Sequence, residues 1–482
     1  MKNVFFKIIT GLSVCSFLLT GCGEELLDKF PNAVISEGSF YKTEADAVGA
    51  VYAIYAQLTN AQCFGHQALM QANIWSDDCS KGGGGPADTP NLEQFNIYEI
   101  LLSNGQVGSI WGANYVGIFR ANKAIEKIPE VDADAAVKDR LVAEAKFLRA
   151  LYYYSLTIRF SGLPLVKSTS DELNTMTRSS ARETWEFIES DLLEAIRLLP
   201  DSYQNNADVG RATKGSARGL LGRVYLFMKE WQKAADVYSD IIGSNIYRLL
   251  DNYGDNFLNG EGDNLPESLF ELQHTTGTGN VAQGFQYHGW IRPRDVAEIV
   301  WVGNGFCLPG QSLVDAFEPG DVRRKATVMV DGDEVFGSIY KSSWSITGFN
   351  ARKYAFGEDV LHVEADANYK VMRYSDVLLG YAEAIFNGAS GKASISGLEA
   401  LNMVRRRAEL ADIPALTFDA IVQERRVELA LEGYRFFDVV RWGIAKELWG
   451  DLGFDENHDE YMPIPLDETL KNPDLVQNPG YL

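Results

Sequence analysis

Apolar residues fall at helical spacing over much of the chain. Ala217, Leu220, Leu221, Val224, Tyr225 and Met228 step at i, i+3, i+4, i+7, i+8 and i+11, and Trp231, Ala234, Ala235, Tyr238, Ile241 and Ile242 repeat the stripe after a short break. Two antiparallel helices are predicted there. Blocks at about 43–58, 112–128, 137–160 and 182–199 predict further amphipathic helices, and Leu141, Ala145, Leu148, Tyr152 and Ser155 trace one apolar-leaning stripe in the third. From about 244 to 368 the periodicity fades and Gly and Asn become frequent, so that runs such as Ser268-Leu269-Phe270-Glu271-Leu272 predict strands among loops. Helical spacing returns at about 371–387, 396–411, 418–432 and 436–448. Tyr461-Met462-Pro463-Ile464-Pro465 is too rich in proline for a helix and predicts an extended strap.

The expected fold is therefore mainly α, with an irregular elaboration of loops and short strands. Ala217, Gly219 and Gly222 give the first helix of the pair a small-residue face for close approach, and the second opens on Trp231 with Ala234, Ala235 and Tyr238; the pair resembles one tetratricopeptide unit. Helix pairs of this kind predict an α-α superhelix as scaffold.

Composition narrows the function. With 44 basic against 66 acidic side chains the chain carries a formal charge of -22, a field that repels phosphate backbones and argues against nucleic acid as a partner. At the amino terminus, Lys2 and Lys7 precede an apolar stretch from Ile8 to Leu19, shorter than the roughly 20 residues of a membrane-spanning helix, which predicts an export signal over 1–21. Leu19-Thr20-Gly21-Cys22 resembles the bacterial lipobox, which implies that Cys22 becomes the acylated first residue of a lipoprotein, with palmitate-type chains as its membrane anchor; an ordinary cleaved signal is the alternative. Glu24 and Glu25 resemble the surface-export tag of Bacteroidetes lipoproteins, which implies the outer face of the outer membrane. In such an oxidising envelope Cys63 and Cys79 either close a loop or stay as two thiols, and Cys307 is left over.

The carboxy-terminal third carries several motifs in one order. Arg373-Tyr374-Ser375-Asp376-Val377-Leu378-Leu379, Tyr381-Ala382-Glu383-Ala384, Leu401-Asn402-Met403-Val404-Arg405 and Glu424-Arg425-Arg426-Val427-Glu428-Leu429 are followed by Glu432-Gly433-Tyr434-Arg435-Phe436-Phe437-Asp438-Val439-Val440-Arg441-Trp442-Gly443, Pro463-Ile464-Pro465 and Asn478-Pro479-Gly480-Tyr481. Together with Leu27-Asp28, Pro31, Ser36, Phe40-Tyr41, Thr43 and Asp46-Ala47 near the other end, they resemble the SusD/RagB family. The resemblance implies a non-catalytic, cell-surface nutrient-binding lipoprotein, most often for a glycan, that sits over a SusC-like TonB-dependent transporter and needs no cofactor. It also suggests an organisation into the signal at 1–21, an anchored segment at 22–40, a helical scaffold at 41–243 with a ligand-loop insertion at 60–110, an irregular ligand-binding region at 244–368, and the family helices with their strap at 369–482. Within the motifs, Glu424, Glu428 and Glu432 are four apart and stack on one helix face, with Arg405, Arg425, Arg426 and Arg441 as candidate counter-ions. A carboxylate ladder that binds a cation is the alternative.

Sugar recognition needs flat apolar rings for pyranose C–H faces and nearby polar groups for hydroxyls, since a hydroxyl buried without a partner costs about 1 to 3 kcal/mol. Four aromatic loops offer both. Loop context, not a family motif, selects Trp75 with Asp77 and Asp78 before the glycines 82–85, Tyr287 and Trp290 with Arg292 and Arg294, Trp301 with Asn304 and Phe306, and Trp344 with Phe349. Trp111, Trp185, Trp231 and Trp442 fall in helical patterns or a family motif and read as core. Asp77-Asp78 and the segment holding Asp455, Glu456, Asp459 and Glu460 are either calcium ligands or solvated loops.

Enzyme signatures are missing from the sequence. The run from Gly210 to Ser216 has phosphate-loop glycine spacing without the Lys after the second Gly, the five His show no metal-helix spacing, and there is no G-x-S-x-G. Three classes remain: a glycan receptor, which the sequence favours; a tetratricopeptide-like scaffold or a binder of other cargo such as peptides; and a surface hydrolase with two opposed carboxylates.

Overall fold

The computed structural model describes residues 40–276, 284–357 and 364–481. The export signal, Cys22 and the Leu27 to Ser36 part of the family pattern lie outside the described residues. The first half is built from helices α1 (Glu44–Leu58), α2 (His66–Ile74), α3 (Pro90–Asn96), α4 (Gly105–Lys127), α5 (Ala135–Phe160), α6 (Ala181–Leu198), α7 (Lys214–Met228) and α8 (Trp231–Ser244). Short helices α9 (Tyr287–Ile291), α10 (Gln311–Ala316) and α11 (Arg323–Thr327) punctuate the irregular middle. Helices α12 (Tyr374–Phe386), α13 (Gly397–Arg407), α14 (Phe418–Glu428), α15 (Arg435–Trp442), α16 (Ala445–Trp449) and α17 (Leu466–Lys471) complete the chain.

Local chemistry sets the helix starts. Thr43, Ser180 and Thr213 each accept a hydrogen bond from the backbone three residues on, and Asp46, Glu183 and Ser216 answer back to the cap, so α1, α6 and α7 open with reciprocal capping boxes. The Gly210 to Ser216 run is thus a helix start.

Consecutive helices from α4 to α8 pack side by side, α1 lies against α4 and α5, and α12 closes on α7 and α8. The expected pair is α7 and α8, and its glycines do what close packing requires. A Cβ on Gly222 would stand 2.4 Å from the ring of Tyr238 on α8, and one on Gly380 of α12 would stand 2.8 Å from the same ring. Tyr238 is fully buried between two glycines, so one side chain keys the repeat-like pair to the carboxy-terminal helices.

The strands form two-stranded ladders: β1 (Cys79–Gly82) pairs with β3 (Phe306–Pro309), and β2 (Ser268–Leu272), the strand expected from its apolar run, pairs antiparallel with β8 (Tyr369–Arg373). Three very short strands, β4 (Val328–Met329), β5 (Glu334–Val335) and β6 (Ser338–Ile339), precede β7 (Asn350–Ala351), which pairs with β4. The strap is extended and buried: Met462 N–H donates to Arg159 O at 2.7 Å, and Asn478 Nδ2 donates to Met462 O at 2.7 Å.

The carboxylate ladder is the best-connected feature of the interior. Arg373 bonds Glu428 at 2.8 Å, Glu432 at 2.7 Å and Glu267 at 2.6 Å; Arg323 joins Asp321, Glu424 and Glu428; Arg407 joins Glu267 and Glu428; Lys353 reaches Glu432 at 2.8 Å. Every one of these side chains is nearly solvent-free. Helix α14 ends at Glu428, so Glu432 sits in the turn beyond it and Arg373 bridges the two. Of the expected counter-ions only Arg405 touches the ladder, through Glu424. Arg425 and Arg426 follow Glu424 by one and two residues, which turns them about 100° and 200° round the helix. Arg425 therefore binds Asp376 and Asp438, Arg426 binds Asp77 and Asp78, and Arg441 binds Glu383 and Asp438.

Burial disfavours the Glu428 carboxylate, yet Arg407, Arg373 and Arg323 outweigh it and hold its pKa far below the ordinary 4.5. A depressed carboxylate adds stability that is present above its unfolded pKa and lost as pH falls below it. Removing one partner of such a buried network costs about 3–5 kcal/mol. Glu428→Gln is expected to lower the melting temperature sharply and to flatten the acid limb below about pH 4.5, measured by thermal unfolding across pH.

Candidate glycan-binding site

Three of the four aromatic loops converge on one face, though most of their rings turn inward. Trp75 caps α2, is fully buried, and stacks on Phe436 at 3.8 Å with its edge partner Phe95 at 5.5 Å. It is a core residue and offers no face to a sugar. Asp77 and Asp78 likewise turn to protein: Arg426 binds both at 3.0 Å and Arg435 binds Asp77 at 2.9 Å, which ties this loop to α14 and α15. Burial raises Asp78 above the usual carboxylate range against the pull of Arg426. For Asp77, burial is outweighed by Arg426 and Arg435, which hold it low.

Tyr287 is fully buried and its hydroxyl accepts from Asn73 Nδ2 at 3.1 Å. Arg292 is buried, with Nη1 donating to Phe356 O at 3.4 Å. Trp301 is buried edge-on to Phe336, and the half-buried Trp344 packs on it and on Tyr340. The fourth loop thus builds the core of the irregular middle. Trp111 and Trp185 are buried as expected, whereas Trp231 and Trp442 are half-buried.

Trp290 and Asn304 keep part of their surface in solvent on this face, as do Arg294, which is exposed, and Asp77 in part. The Trp290 indole stacks on the imidazole of His66 at 5.3 Å and 14° and lies 5.4 Å from the ring of Phe306. Asn304 N–H donates to Gly289 O at 3.0 Å, and Gly303 and Gly305 N–H donate to Pro293 and Arg292, so residues 289–294 and 303–305 form one stiff unit. The glycine turn is fastened to it: Gly83 N–H donates to Gly305 O at 2.7 Å, and Arg294 binds Asp88 at 2.9 Å. A Cβ at Gly83, where φ is +71° at the preceding Gly82 and +69° here, would meet the Phe306 ring at 2.7 Å, which explains the need for glycine.

Beside the Trp290 and His66 stack lies a polar hollow of about 280 Å³, lined by Gln57, Thr59, Asn60, His66, His274 and Gln286. Its amides are held in place, since Gln57 Nε2 donates to Ala113 O at 3.0 Å and Gln286 Nε2 donates to Glu364 at 3.2 Å. Sequence patterning missed the wall formed by Gln57, Thr59, Asn60 and His66; the polar run directly after α1 is the signal that could have marked it. An aromatic platform beside positioned amides is what a polyhydroxylated ligand requires.

Other chemistry is sparse. Cys63, Cys79 and Cys307 are buried free thiols, and no bridge joins Cys63 to Cys79: Gln57 Nε2 donates to Cys63 Sγ at 3.8 Å, while Cys79 and Cys307 lie on the β1 and β3 pair. No group of three or more His, Cys, Asp or Glu arranged for a metal occurs among the described residues. Asp455 and Asp459 serve the turn 455–459 itself, where Asp459 accepts from Asp455 N–H at 2.8 Å.

A family model described as SusD family matches residues 266–481, and one described as starch-binding associating with outer membrane matches 50–226. A solved laminarin binding SusD-like protein is 32% identical, superposes with a TM-score of 0.80, and is covered over its whole length by 92% of this chain. The chain belongs to the SusD family. Its SusD-family relatives include SusD-like protein P2 of Formosa agariphila, 26% identical over 96% of this chain and 97% of the relative. The starch-binding protein SusD of Bacteroides thetaiotaomicron is 26% identical over 70% of this chain and 72% of its own length. Surface glycan-binding protein A of the same organism, solved in complex with laminarihexaose, is 25% identical with a TM-score of 0.79 over 91% of this chain and all of that one.

Burial pushes the His66 imidazole down to about 4, so the ring behind Trp290 is neutral at physiological pH. Because the unfolded ring binds its proton near 6.5, stability falls as pH drops from about 6.5 to 4. An NMR titration of the His66 ring carbons is expected to show a midpoint near 4; a midpoint near 6.5 would mean an open site around this residue.

Proposed function

We propose that this SusD-family chain is a non-catalytic glycan-binding receptor at the outer membrane, anchored by a lipid on Cys22, that holds its ligand on Trp290 and delivers it to a SusC-like TonB-dependent transporter. The observation that carries the reading is the Trp290–His66 stack, whose His66 member lines a hollow together with the amides of Gln57, Asn60 and Gln286, in a fold shared with a laminarin binding SusD-like protein. Laminarin is the first ligand to test. Asn304 completes the polar rim, and Trp75, Asp77, Asp78, Tyr287 and Arg292 hold the site from behind, while Trp301 and Trp344 pack the core of the irregular middle.

Carboxylate placement supports binding without turnover. Asp88 is paired with Arg294 and Glu364 accepts from Gln286, whereas a hydrolase needs two opposed acids free to serve a glycosidic bond.

Titrating the chain without residues 1–22 against laminarin by calorimetry, with an assay for released sugar on the same mixtures, tests this reading. Saturable binding without release is expected, weakened about ten-fold by Trp290→Ala. Trp75→Ala is expected instead to cost about 3–5 kcal/mol of stability. Released sugar would make the chain a hydrolase; silence across a broad polysaccharide panel would make it a scaffold or a receptor for other cargo such as peptides.

A further inference from the structure

The amide-lined hollow does not end at Thr59. Ala56 and Thr59 are shared with a neighbouring hollow of about 160 Å³ that Tyr52, Arg211 and Gln273 also line. This one shares Arg211 and Glu271 with a third of about 220 Å³. The first two therefore adjoin along the carboxy-terminal half of α1, where Tyr52 to Thr59 spans about 10 Å at 1.5 Å per residue; the third continues past Arg211 away from that helix.

Tyr52 is 46% exposed, and an isolated exposed ring is ordinary. Its support is not. The Arg211 guanidinium lies 5.1 Å from the ring centroid and donates to the Tyr52 hydroxyl at 3.1 Å. Arg211 is in turn fixed by two bonds to the fully buried Glu144, at 2.9 and 3.0 Å. Across the hollow, the Gln273 amide is locked by a reciprocal pair with Asn264 at 2.9 and 3.0 Å. A ring immobilised from one side, with positioned amides beside it, repeats the design at Trp290.

We propose that Tyr52 is the platform of a second glycan subsite, continuous with the Trp290 site through Ala56 and Thr59, so that the protein grips an extended neutral polysaccharide segment. The inference rests on the glycan reading of the Trp290 site. Neutral follows from charge: Glu144 and Asp208 already pair Arg211, which leaves no uncompensated cation for an acidic sugar.

The test compares laminarin polymer with laminaribiose, which is too short to span both platforms. Tyr52→Ala is expected to weaken polymer binding about five- to ten-fold and leave laminaribiose unchanged, while Trp290→Ala weakens both. Tyr52→Phe, which keeps the ring, is expected to keep polymer affinity and shows that the fold is intact. Unchanged polymer affinity in Tyr52→Ala, with Trp290→Ala impaired, would overturn the second subsite and leave the receptor standing. A parent chain that binds neither probe would overturn both.

Discussion

The bond set that the rest of the structure depends on is the buried knot centred on Arg373 and Glu428. Its members come from Glu267 just before β2, the irregular middle, the end of β8, α13, and α14 with the turn after it, so a handful of charge-assisted bonds ties the β2–β8 ladder to the middle and to the carboxy-terminal helices. Burying these charges is costly, and the arrangement survives because each carboxylate is met by guanidinium or ammonium groups at bonding distance. The consequence is rigidity in a region with little secondary structure. With the middle pinned to α14 from below, its outer loops can hold side chains at fixed positions.

The candidate site is then framed by residues that turn inward. Trp75 fills the space between α2 and α15, Asp77 and Asp78 bind the arginines of α14 and α15, and Tyr287 reaches back to Asn73. These contacts place the loop after α2 and the segment 284–305 against each other, and only then do His66 and Trp290 meet. Aromatic and acidic residues in a binding region are thus as often its frame as its contact surface.

The helical scaffold was legible in sequence where its helices keep a solvent face, as α6 and α8 do along their length and α5 does in its first half; α7 is buried over most of its surface and was legible from its small and apolar stripe. Helix α2 was not, since all but one of its residues are buried and a helix enclosed on every side shows no periodicity. The strand Ser268–Leu272 was legible from its short apolar run and the strap from its prolines. Ring exposure was not, because what covers Trp75 is Phe436, far along the chain and on another helix. Of the expected counter-ions Arg405 does pair with Glu424, whereas Arg425 and Arg426 do not, as the step from Glu424 to Arg425 changes helix face. The Glu424 and Glu428 spacing was readable from residue type alone, whereas Glu432 falls in the turn after the helix.

The claim that ties these observations together is that the ligand rests on Trp290 where the loop after α1 meets the segment 284–305. A crystal structure of the chain soaked with laminarihexaose tests it most directly. The account predicts a sugar ring packed on the Trp290 indole, with hydroxyls within bonding distance of the amides that line the hollow beside His66. A hexaose bound on another face, such as the loop of Trp344, with the Trp290 ring unoccupied, would contradict it.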